Sequence, residues 1–474
     1  MNLGNSDLFR ISDFVLRFLF NVPLIFQITI IFNWCLMKLL LNLAYFVAAL
    51  AFAPKALYRM TRQKRYRAGW KNRFGKIKRK YREKKCIWIH AVSVGEVNAT
   101  KTLIKMLEEK LPHYEIVITT TTDTGFARAN ALYAGRLNIF YFPLDFSFTM
   151  KKAFKNINPA IILLLELEIW PNLIAIANEN NIPVVVVNGR ISDRSFPKYK
   201  IIKTIIKKIF QQTTLILAQA EEYAKRFTAL GAPAGSVIVT GSLKYDTAQI
   251  TDRIDGSDAL AEKLSIKQNH KLLVAGATGN DEEVLLLRTY MKLITVDKFK
   301  DLRLAIIPRK PERFDEVAQL IGQFGLPLIR YSEVKDNPSP PKTDTQTVIL
   351  GDTMGDLRKF YSLAAIIFVG RSLVPMGGSD MAEAAALAKT TIFGPHTFNF
   401  RQTVKDLLAD NGAIQVKDND DLFNVVQKCL TDSDFAQKIA HNGQNVIRKN
   451  QGATKKTVEQ IKRLLAKQNL SSTV

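Results

Sequence analysis

The amino-acid sequence predicts an α/β protein with two Rossmann-like domains and an N-terminal membrane-anchoring helix. Short apolar runs alternate with segments of helical period, and this alternation lapses once, in a polar stretch near the middle of the chain. Runs that are apolar on both faces are typical of parallel sheets covered by helices on both sides. A long apolar stretch near the N-terminus predicts the anchor.

Composition excludes several classes of protein. The 474 residues fit two or three domains of roughly 100–200 residues each. With 47% hydrophobic and 23% charged residues, the chain is not disordered. Its three cysteines (Cys35, Cys86 and Cys429) fit neither a disulfide framework nor a zinc site, which indicates free thiols in a reducing compartment. The net charge of +24 predicts a polyanionic partner: nucleic acid, an anionic membrane or a phosphorylated substrate.

The N-terminal segment, residues 1–54, is predicted to hold the protein at a membrane. Between Phe18 and Ala53 the only charged residue is Lys38. A helix needs about 20 apolar residues to cross a bilayer core. We therefore expect one membrane helix or deep re-entrant anchor within about residues 30–53, preceded by an interfacial apolar helix. A cleavable signal peptide is the alternative, but its apolar region usually has only about 7–15 residues.

Residues 55–85 form a basic segment with fifteen Lys or Arg and one acid, Glu83. Positive charge beside a membrane span marks the cytoplasmic side, so the rest of the chain is expected in the cytoplasm. The segment is either a topology signal alone or also a binding surface for anionic lipid, at about 1 kcal/mol per basic residue. Nucleic acid is not the expected partner, because neither RNP-type aromatics nor a C2H2 pattern occurs.

Fourteen apolar runs predict the strands of the two domains. The first domain is expected at residues 86–246 and the second at 269–474, with a hinge region at 247–268 that has no strand run. The runs of the first domain are 86–92, 115–121, 138–144, 160–166, 183–188, 215–220 and 237–241. Those of the second are 271–278, 302–309, 327–331, 347–352, 365–371, 390–395 and 413–416, and the remainder predicts terminal helices.

Polar residues follow the predicted strands, where ligands bind in sheets of this kind. Gly95, after the first run, permits close backbone approach, and Glu96 opens a helix, where a carboxylate is either functional or a helix-start residue. Glu166 and Glu168 follow the fourth run. Alternate residues of a strand share a face, so both carboxylates are expected on one side of the site.

Cationic and glycine-rich positions follow other runs. Arg190 and Lys244 are candidates for binding an anion, with surface charge as the other interpretation. In the second half, residues 308–313, 351–356 and 370–380 form loops whose backbone N–H groups can hold phosphate, which predicts a nucleotide. Asn399 follows the sixth run of this half, either at the site or in a structural turn.

Several motifs together resemble one known family. They are HAVSVGEV (90–97), ELEIWPNL (166–173), VNGRIS (187–192), GSLKYD (241–246), PRKPERF (308–314), MGDL (354–357) and FGPHTFNF (393–400). From about residue 40 to its end, the chain is similar to the 3-deoxy-D-manno-octulosonic acid (Kdo) transferases, which are bacterial lipid A glycosyltransferases. The resemblance implies a GT-B fold, in which two Rossmann-like domains face each other across a cleft. It also implies an inner-membrane enzyme of lipopolysaccharide core biosynthesis.

The implied reaction transfers Kdo from CMP-Kdo to a hydroxyl of a lipid A precursor, with inversion. By resemblance, residues 86–246 form the acceptor domain and residues 269–474 the CMP-sugar (donor) domain. Glu96 is the implied general base, and Glu166 and Lys244 match positions that stabilise the transition state. The implied CMP-binding residues are Pro308, Arg309, Met354, Gly355, Asp356, Asp380, Met381, Ala382 and Glu383.

No metal or other cofactor is expected, because no aspartate pair stands at a strand end. Asp418 and Asp420 form a DxD pattern in a late polar loop, which we interpret as solvated. The leaving phosphate is instead expected to rest on Arg309, Lys244 and the helix start at 354–356.

The chain departs from the family at residues 377–385. It has GGSDMAEAA where the family usually has a GGHNPLEPA-like segment, so the loop length and Glu383 are kept but the His, the Asn and both prolines are not. A different nucleotide sugar on the same GT-B fold is therefore an alternative. A second alternative is a non-catalytic membrane adaptor, against which the retained Glu96, Glu166, Lys244 and Arg309 argue.

Overall fold

The computed structural model describes residues 67–267, 270–337 and 346–471, together with part of residues 42–62. The chain divides into two compact units, Met1–Asp246 with Gln451–Val474, and Thr247–Asn450. Each predicted strand run contains a strand, and the predicted α/β class with two parallel sheets is confirmed.

The first unit alternates strands with helices. Its strands are β1 (Lys85–His90), β2 (Tyr114–Thr120), β3 (Asn138–Tyr141), β4 (Pro159–Leu165), β5 (Val184–Gly189), β6 (Leu215–Ala218) and β7 (Val237–Val239). Its helices are α1 (Trp70–Arg73), α2 (Val94–Lys110), α3 (Asp123–Tyr133), α4 (Ser147–Ile157), α5 (Pro171–Glu179), α6 (Phe196–Ile201), α7 (Lys203–Gln211), α8 (Glu221–Ala229) and α9 (Leu243–Thr247).

The second unit repeats this arrangement. Its helices are α10 (Ser257–Lys263), α11 (Glu282–Ile294), α12 (Phe314–Gln323), α13 (Tyr331–Val334), α14 (Leu357–Leu363), α15 (Met381–Ala385), α16 (Arg401–Ala409), α17 (Asn419–Thr431) and α18 (Ser433–Asn450). Its strands are β8 (Leu272–Thr278), β9 (Arg303–Pro308), β10 (Leu328–Arg330), β11 (Val348–Leu350), β12 (Ile366–Val369), β13 (Thr390–Phe393) and β14 (Ile414–Gln415).

Both sheets are parallel, and each has one position where the direction of strand order reverses. The orders are β3-β2-β1-β4-β5-β6-β7 and β10-β11-β9-β8-β12-β13-β14. In the first sheet, alternate residues enter two cores, with Trp88 in one and Ile87 and Ile89 in the other. Strand order reverses between β1 and β4, and between β8 and β12. Ligands of such sheets bind beyond the carboxyl ends of the strands at these positions.

The first unit begins earlier than the predicted boundary at Cys86. Between Arg73 and Arg79 every second residue is buried, and Ile77 belongs to the core of this unit. The buried Arg79 donates to Glu115 at 2.6 Å and to the carbonyl of Ile157 at 2.5 Å. Part of the basic segment 55–85 is therefore built into the first unit. Lys76, Lys78 and Lys80 alternate with the buried positions and are exposed.

Residues before the basic segment also contact the first unit. The described residues between 42 and 62 have helical backbone. Asn42 accepts from the N–H of Ser147 at 3.0 Å, and the buried Tyr45 donates to Asp145 at 2.8 Å. The end of the predicted anchor (30–53) thus lies against the first unit, while residues 30–41 lie outside the described part of the chain. Within that described part, none of the helices combines the length and apolarity that a membrane crossing requires.

The last helix, α19 (Ala453–Ser471), belongs to the first unit. Ala453, Val458, Ile461 and Leu465 are buried in the same core as strand residues of the first sheet. We expected this helix in the second domain, 269–474, because it follows that domain in the sequence. The expected domain end is therefore corrected to Asn450.

Candidate active site

Glu96 lies in the first turn of α2 and is almost fully buried. Its Oε2 accepts from the N–H of Val92 at 2.8 Å, and its Oε1 accepts from the hydroxyl of Ser93 at 2.8 Å. Ser93 is the N-cap residue and accepts from the N–H of Glu96, so the two residues hold each other as in a capping box. Ser93 therefore caps the helix, and the Glu96 carboxylate holds the Ser93 hydroxyl and the N–H of Val92, whatever further role it has.

Two glycines lie near Glu96, and they differ in what surrounds them. At Gly95 an added Cβ would meet only the hydroxyl oxygen of Ser93, at 3.9 Å, so no other part of the described protein approaches this glycine closely. At Gly125, in the first turn of α3, an added Cβ would lie 2.8 Å from the carbonyl oxygen of Val92. Gly125 thus allows α3 to approach the residues between β1 and α2, which include Val92.

Glu166 and Lys244 lie close together, although 78 positions separate them in the sequence. Lys244 Nζ is 3.7 Å from Glu166 Oε1, and both side chains are partly exposed. Glu166 directly follows β4 and adopts a left-handed backbone conformation, with φ of 56°. Such a conformation costs a non-glycine residue about 1–3 kcal/mol and often marks functional sites. The pair is therefore the strongest geometric feature among the candidates in this unit.

Asn188 positions the helix that carries Lys244, and we did not single it out in the sequence. Its Oδ1 accepts from the N–H of Leu243, the first residue of α9, at 3.0 Å. Its Nδ2 is buried without a hydrogen-bond partner in the described structure. Asn188 also has a positive φ, of 58°. The only signal in the sequence was its place within VNGRIS, directly before Gly189 and Arg190.

The structure gives less support to Glu168 and Arg190 as site residues than to Glu166 and Lys244. Strand β4 ends at Leu165, so the alternation that would put Glu166 and Glu168 on one face does not extend to them. Glu168 is buried, with 2% of its surface exposed, whereas Glu166 is partly exposed. Arg190 follows β5 and is partly exposed, with a buried Nε that has no partner among the described residues.

In the second unit, two predicted nucleotide positions follow β9 and β11. Pro308 ends β9 and is buried, and the next residue, Arg309, is exposed. Met354 is 70% exposed, and Gly355 has a φ of 102° that favours glycine. Asp356 accepts from Thr353 Oγ1 at 2.6 Å and pairs with Lys359 at 2.8 Å. Burial alone would raise the pKa of Asp356, but these hydrogen bonds lower it overall.

The loop that departs from the family is held by its own contacts. Asp380 is the N-cap of α15 and accepts from the N–H of Ala382 at 3.0 Å. Met381 and Ala382 are buried, so the structure exposes neither side chain for the expected contact with CMP. Glu383 is partly exposed. Asn399 donates its backbone N–H to the carbonyl of Gly377 at 3.1 Å, which fits the structural-turn interpretation.

Comparison with known proteins decides the family. A sequence profile described as 3-deoxy-D-manno-octulosonic-acid transferase (kdotransferase) matches residues 68–247. The 3-deoxy-D-manno-octulosonic acid transferase of Haemophilus influenzae is 34% identical over 377 residues, which cover 79% of this chain and 86% of that one. The chain belongs to the Kdo transferase family. The transferase of the same name from Bordetella pertussis is 29% identical over 381 residues, with the same coverage of 79% and 86%.

Solved structures agree on the fold of this Kdo transferase family member. The crystal structure of a glycosyltransferase from Rickettsia africae matches with a TM-score of 0.53, covering 81% of this chain and 99% of that one. At 14% identity this likeness shows the fold alone, which is the expected GT-B class.

Glu282 organises the second unit of this family member, although no motif in the sequence pointed to it. It lies at the start of α11 and is fully buried. Its carboxylate accepts four backbone N–H groups, from Gly279 (3.2 Å), Arg371 (2.6 Å), Ser372 (2.9 Å) and Leu373 (3.0 Å). Burial raises its pKa, and these hydrogen bonds act in the opposite direction. Glu282 thereby ties the loop after β12 to the loop after β8.

The neighbouring Glu283 is also buried and pairs with Arg313, 2.6 Å away. It also accepts from Thr278 Oγ1 at 2.7 Å.

The described part of the chain contains no group of three or more His, Cys, Asp or Glu residues arranged to hold a metal ion. Cys86 and Cys429 are buried free thiols, as expected, and Cys35 lies outside the described residues.

Proposed function

We propose that this protein transfers Kdo from CMP-Kdo to a hydroxyl of a lipid A precursor. The observation that carries the proposal is the 34% identity to the Haemophilus influenzae transferase over 79% of this chain. Within the first unit, the Glu166–Lys244 pair supports it, because a partly exposed ion pair at the carboxyl edge of the sheet suits a polar reaction centre.

Glu96 is the proposed general base for the acceptor hydroxyl. It lies in the first turn of α2, just beyond the carboxyl end of β1, where ligands of such sheets bind. Inversion requires the base on the face of the sugar opposite to the leaving group. A product whose anomeric configuration is inverted relative to CMP-Kdo, measured by NMR, is the expected outcome.

The transfer is proposed to need no metal. Arg309 is an exposed cation directly after β9 and is available for the phosphate of the nucleotide. We expect activity to survive EDTA, since arginine supplies charge stabilisation that a metal would otherwise provide. Loss of activity on chelation, restored by Mg²⁺, would contradict the proposed phosphate site.

A membrane-bound location is also proposed, with the two units in the cytoplasm and anionic inner-membrane lipid as the partner surface. Leu43, Phe46, Val47 and Leu50 recur at helical spacing and are 39–60% exposed. Leu57 and Tyr58 continue this apolar stripe, and the exposed lysines 76, 78 and 80 follow it. An apolar stripe followed by basic residues is typical of surfaces that lie on anionic lipid.

A donor screen tests the proposal directly. Purified full-length protein is incubated with a lipid A precursor and either CMP-Kdo or a series of UDP-sugars, and product mass is measured. We expect mass increments of Kdo with CMP-Kdo alone. Transfer from a UDP-sugar but not from CMP-Kdo would favour the alternative of a different nucleotide sugar. No transfer from any donor, with intact binding of membranes, would favour the adaptor.

A further inference from the structure

Two arginines of the second unit flank the end of its central strand, β8. Arg309 donates its backbone N–H to the carbonyl of Thr278, the last residue of β8, at 3.1 Å. On the other side, the N–H of Gly370 bonds the carbonyl of Gly276 at 2.8 Å, and Arg371 follows directly. We propose that Arg371, together with Arg309, binds an anionic group of the nucleotide-sugar donor. This inference rests on the proposed function and adds a residue that the family resemblance did not supply.

The side chain of Arg371 lies across the glycine that follows β8. A Cβ added to Gly279 would meet Arg371 Cγ at 3.0 Å and Met376 Sδ at 2.5 Å. Glycine at this position therefore leaves room for the arginine stem. The loop after β8 and the loop after β12 meet here, at the position where strand order reverses and ligands of such sheets bind.

The backbone of Arg371 is held in a conformation that an arginine does not favour. Its φ is 61°, in the left-handed region that glycine adopts without steric cost. Glu282 fixes this conformation, because its carboxylate accepts the N–H groups of Arg371, Ser372 and Leu373. A strained residue that its surroundings hold in place points to a function for its side chain.

The guanidinium of Arg371 is poorly satisfied within the described structure. Its Nε is buried without a hydrogen-bond partner, and Nη2 makes one long bond, of 3.4 Å, to the carbonyl of Met376. Among the described residues neither Arg371 nor Arg309 forms an ion pair within 4.0 Å. A half-buried cation without a partner is costly unless a ligand supplies the opposite charge.

The surrounding charges support the same conclusion. Burial and the nearby charge of Arg309 lower the pKa of Arg371, whereas Glu282 acts in the opposite direction. Both oxygens of Glu282 are already engaged by backbone N–H groups, and Asp380 caps α15. Two neighbouring guanidinium groups remain for a ligand, and arginine suits phosphate and carboxylate oxygens through paired N–H donors. A CMP-linked acidic sugar offers both groups.

Equilibrium binding to Arg371→Gly and Arg371→Gln tests the inference, without acceptor present. The probes are cytidine, CMP and CMP-Kdo, and Arg288→Gln, on the exposed face of α11, is the control. If Arg371 binds the phosphate, Kd for CMP should rise about 10–100-fold in both variants, as expected for a lost charged hydrogen bond, with cytidine binding unchanged. If it binds the sugar carboxylate, CMP binding should be unchanged and Kd for CMP-Kdo should rise by a similar factor.

The glycine variant separates binding from folding. Because glycine adopts the φ of this position without strain, Arg371→Gly should melt at the same or a higher temperature than the wild type while binding the donor more weakly. Equal affinities of wild type and both variants for CMP and CMP-Kdo would overturn the inference. A wild-type protein that binds CMP through Arg371 but forms no Kdo product would contradict the proposed function and leave this inference standing.

Discussion

At the scale of single residues, two buried ionisable side chains of the first unit have pKa values shifted in opposite directions. Burial raises the pKa of Asp145 to about 7, although Tyr45 and the N–H groups of Asn172 and Leu173 donate to it. Burial lowers the pKa of His90 to about 3, although the backbone of Thr119 opposes this shift. Asp145 also caps α5, whose own N-cap residue provides no side-chain acceptor.

These shifts predict opposing pH dependences of stability. The raised pKa of Asp145 stabilises the folded state. This stabilisation is fully present below the ordinary pKa of 3.8 and is lost as pH rises through about 7. The stabilisation that follows from the lowered pKa of His90 is fully present above its ordinary pKa of 6.5 and is lost as pH falls through about 3. Between about pH 4 and 6.5 the two changes oppose each other, each with a slope of at most about 1.4 kcal/mol per pH unit.

Single substitutions should expose each contribution separately. The stability of each variant is compared with that of the wild type at the same pH. As pH rises from 4.5 to 6.5, this difference should change in favour of Asp145→Asn and against His90→Gln. Thermal midpoints at pH 4.5, 5.5 and 6.5 measure this, and groups that titrate in all three proteins cancel in the differences. Variant curves that run parallel to that of the wild type would show that the pKa shifts are misassigned.

Glu96→Gln separates the structural role of this side chain, which bonds Val92 and Ser93, from its proposed catalytic role. Glutamine can still accept from Val92 and can bond Ser93, so α2 should form and CMP should bind normally. It cannot accept a proton, and general base catalysis contributes about 10²–10⁴ in rate. The expected result is a loss of Kdo transfer of at least that size with an unchanged melting temperature. Turnover at the wild-type rate would remove Glu96 from the mechanism.

At the scale of elements, α19 completes the first unit from the far end of the chain. Asp246 accepts from the N–H groups of Gly452 and Thr454, and so joins the end of the first unit's main segment to the start of α19. Gln451 donates to the carbonyl of Tyr245 at 2.9 Å. Ile461 is fully buried in the first-unit core, and its neighbour Lys462 is exposed.

Ile461→Ala should therefore destabilise the first unit, with Lys462→Ala as the matched control on the same helix. Truncating a buried isoleucine costs about 2–5 kcal/mol, whereas the exposed lysine should change stability by less than about 0.5 kcal/mol. Hydrogen exchange of amides in β1–β7 and in β8–β14 reports the two units separately. Faster exchange confined to β8–β14 in the Ile461 variant would contradict the placement of α19.

The residues just before the basic segment form a second contact that the sequence did not predict. Because Asn42 and Tyr45 bond Ser147 and Asp145, removal of residues 1–54 should destabilise the first unit more than removal of 1–41. Thermal melting of the two truncated proteins measures the difference. Equal midpoints would show that these contacts contribute nothing to stability.

At the scale of the whole molecule, the apolar stripe and the exposed lysines predict how the protein meets lipid. The form lacking residues 1–41 retains both features, so it should bind anionic vesicles in low salt. Its binding should weaken as salt rises to physiological strength, because basic residues held at a charged surface are screened. Replacing Phe46 and Leu50 by serine should weaken binding further, and Met291→Ser, also a partly exposed apolar residue, serves as the control.

Vesicle sedimentation checks this prediction with anionic and neutral lipids side by side. If the protein sediments equally with neutral and with anionic vesicles, burial of apolar side chains alone holds it at the lipid surface. Failure to bind anionic vesicles in low salt would leave the basic segment as a topology signal only.

The sequence by itself determined the α/β class, the positions of the strands and the helix starts. An apolar run such as 160–166 consists of residues that are adjacent in the sequence. A local cap such as Ser93 with Glu96 likewise joins residues only three positions apart. The carboxyl ends of parallel strands meet at one edge of a sheet, so the candidates Glu166, Lys244 and Arg309 could be found from the chain alone.

Only the tertiary structure decided which distant residues meet. It paired Glu166 with Lys244, buried Arg79 against Glu115, and assigned α19 to the first unit. It also showed that Glu282 holds the backbone of Arg371. These contacts depend on the order of strands in the sheets and on helix packing across long separations in sequence. No local pattern of residues encodes that information, because periodicity describes the face an element buries and not the partner that covers it.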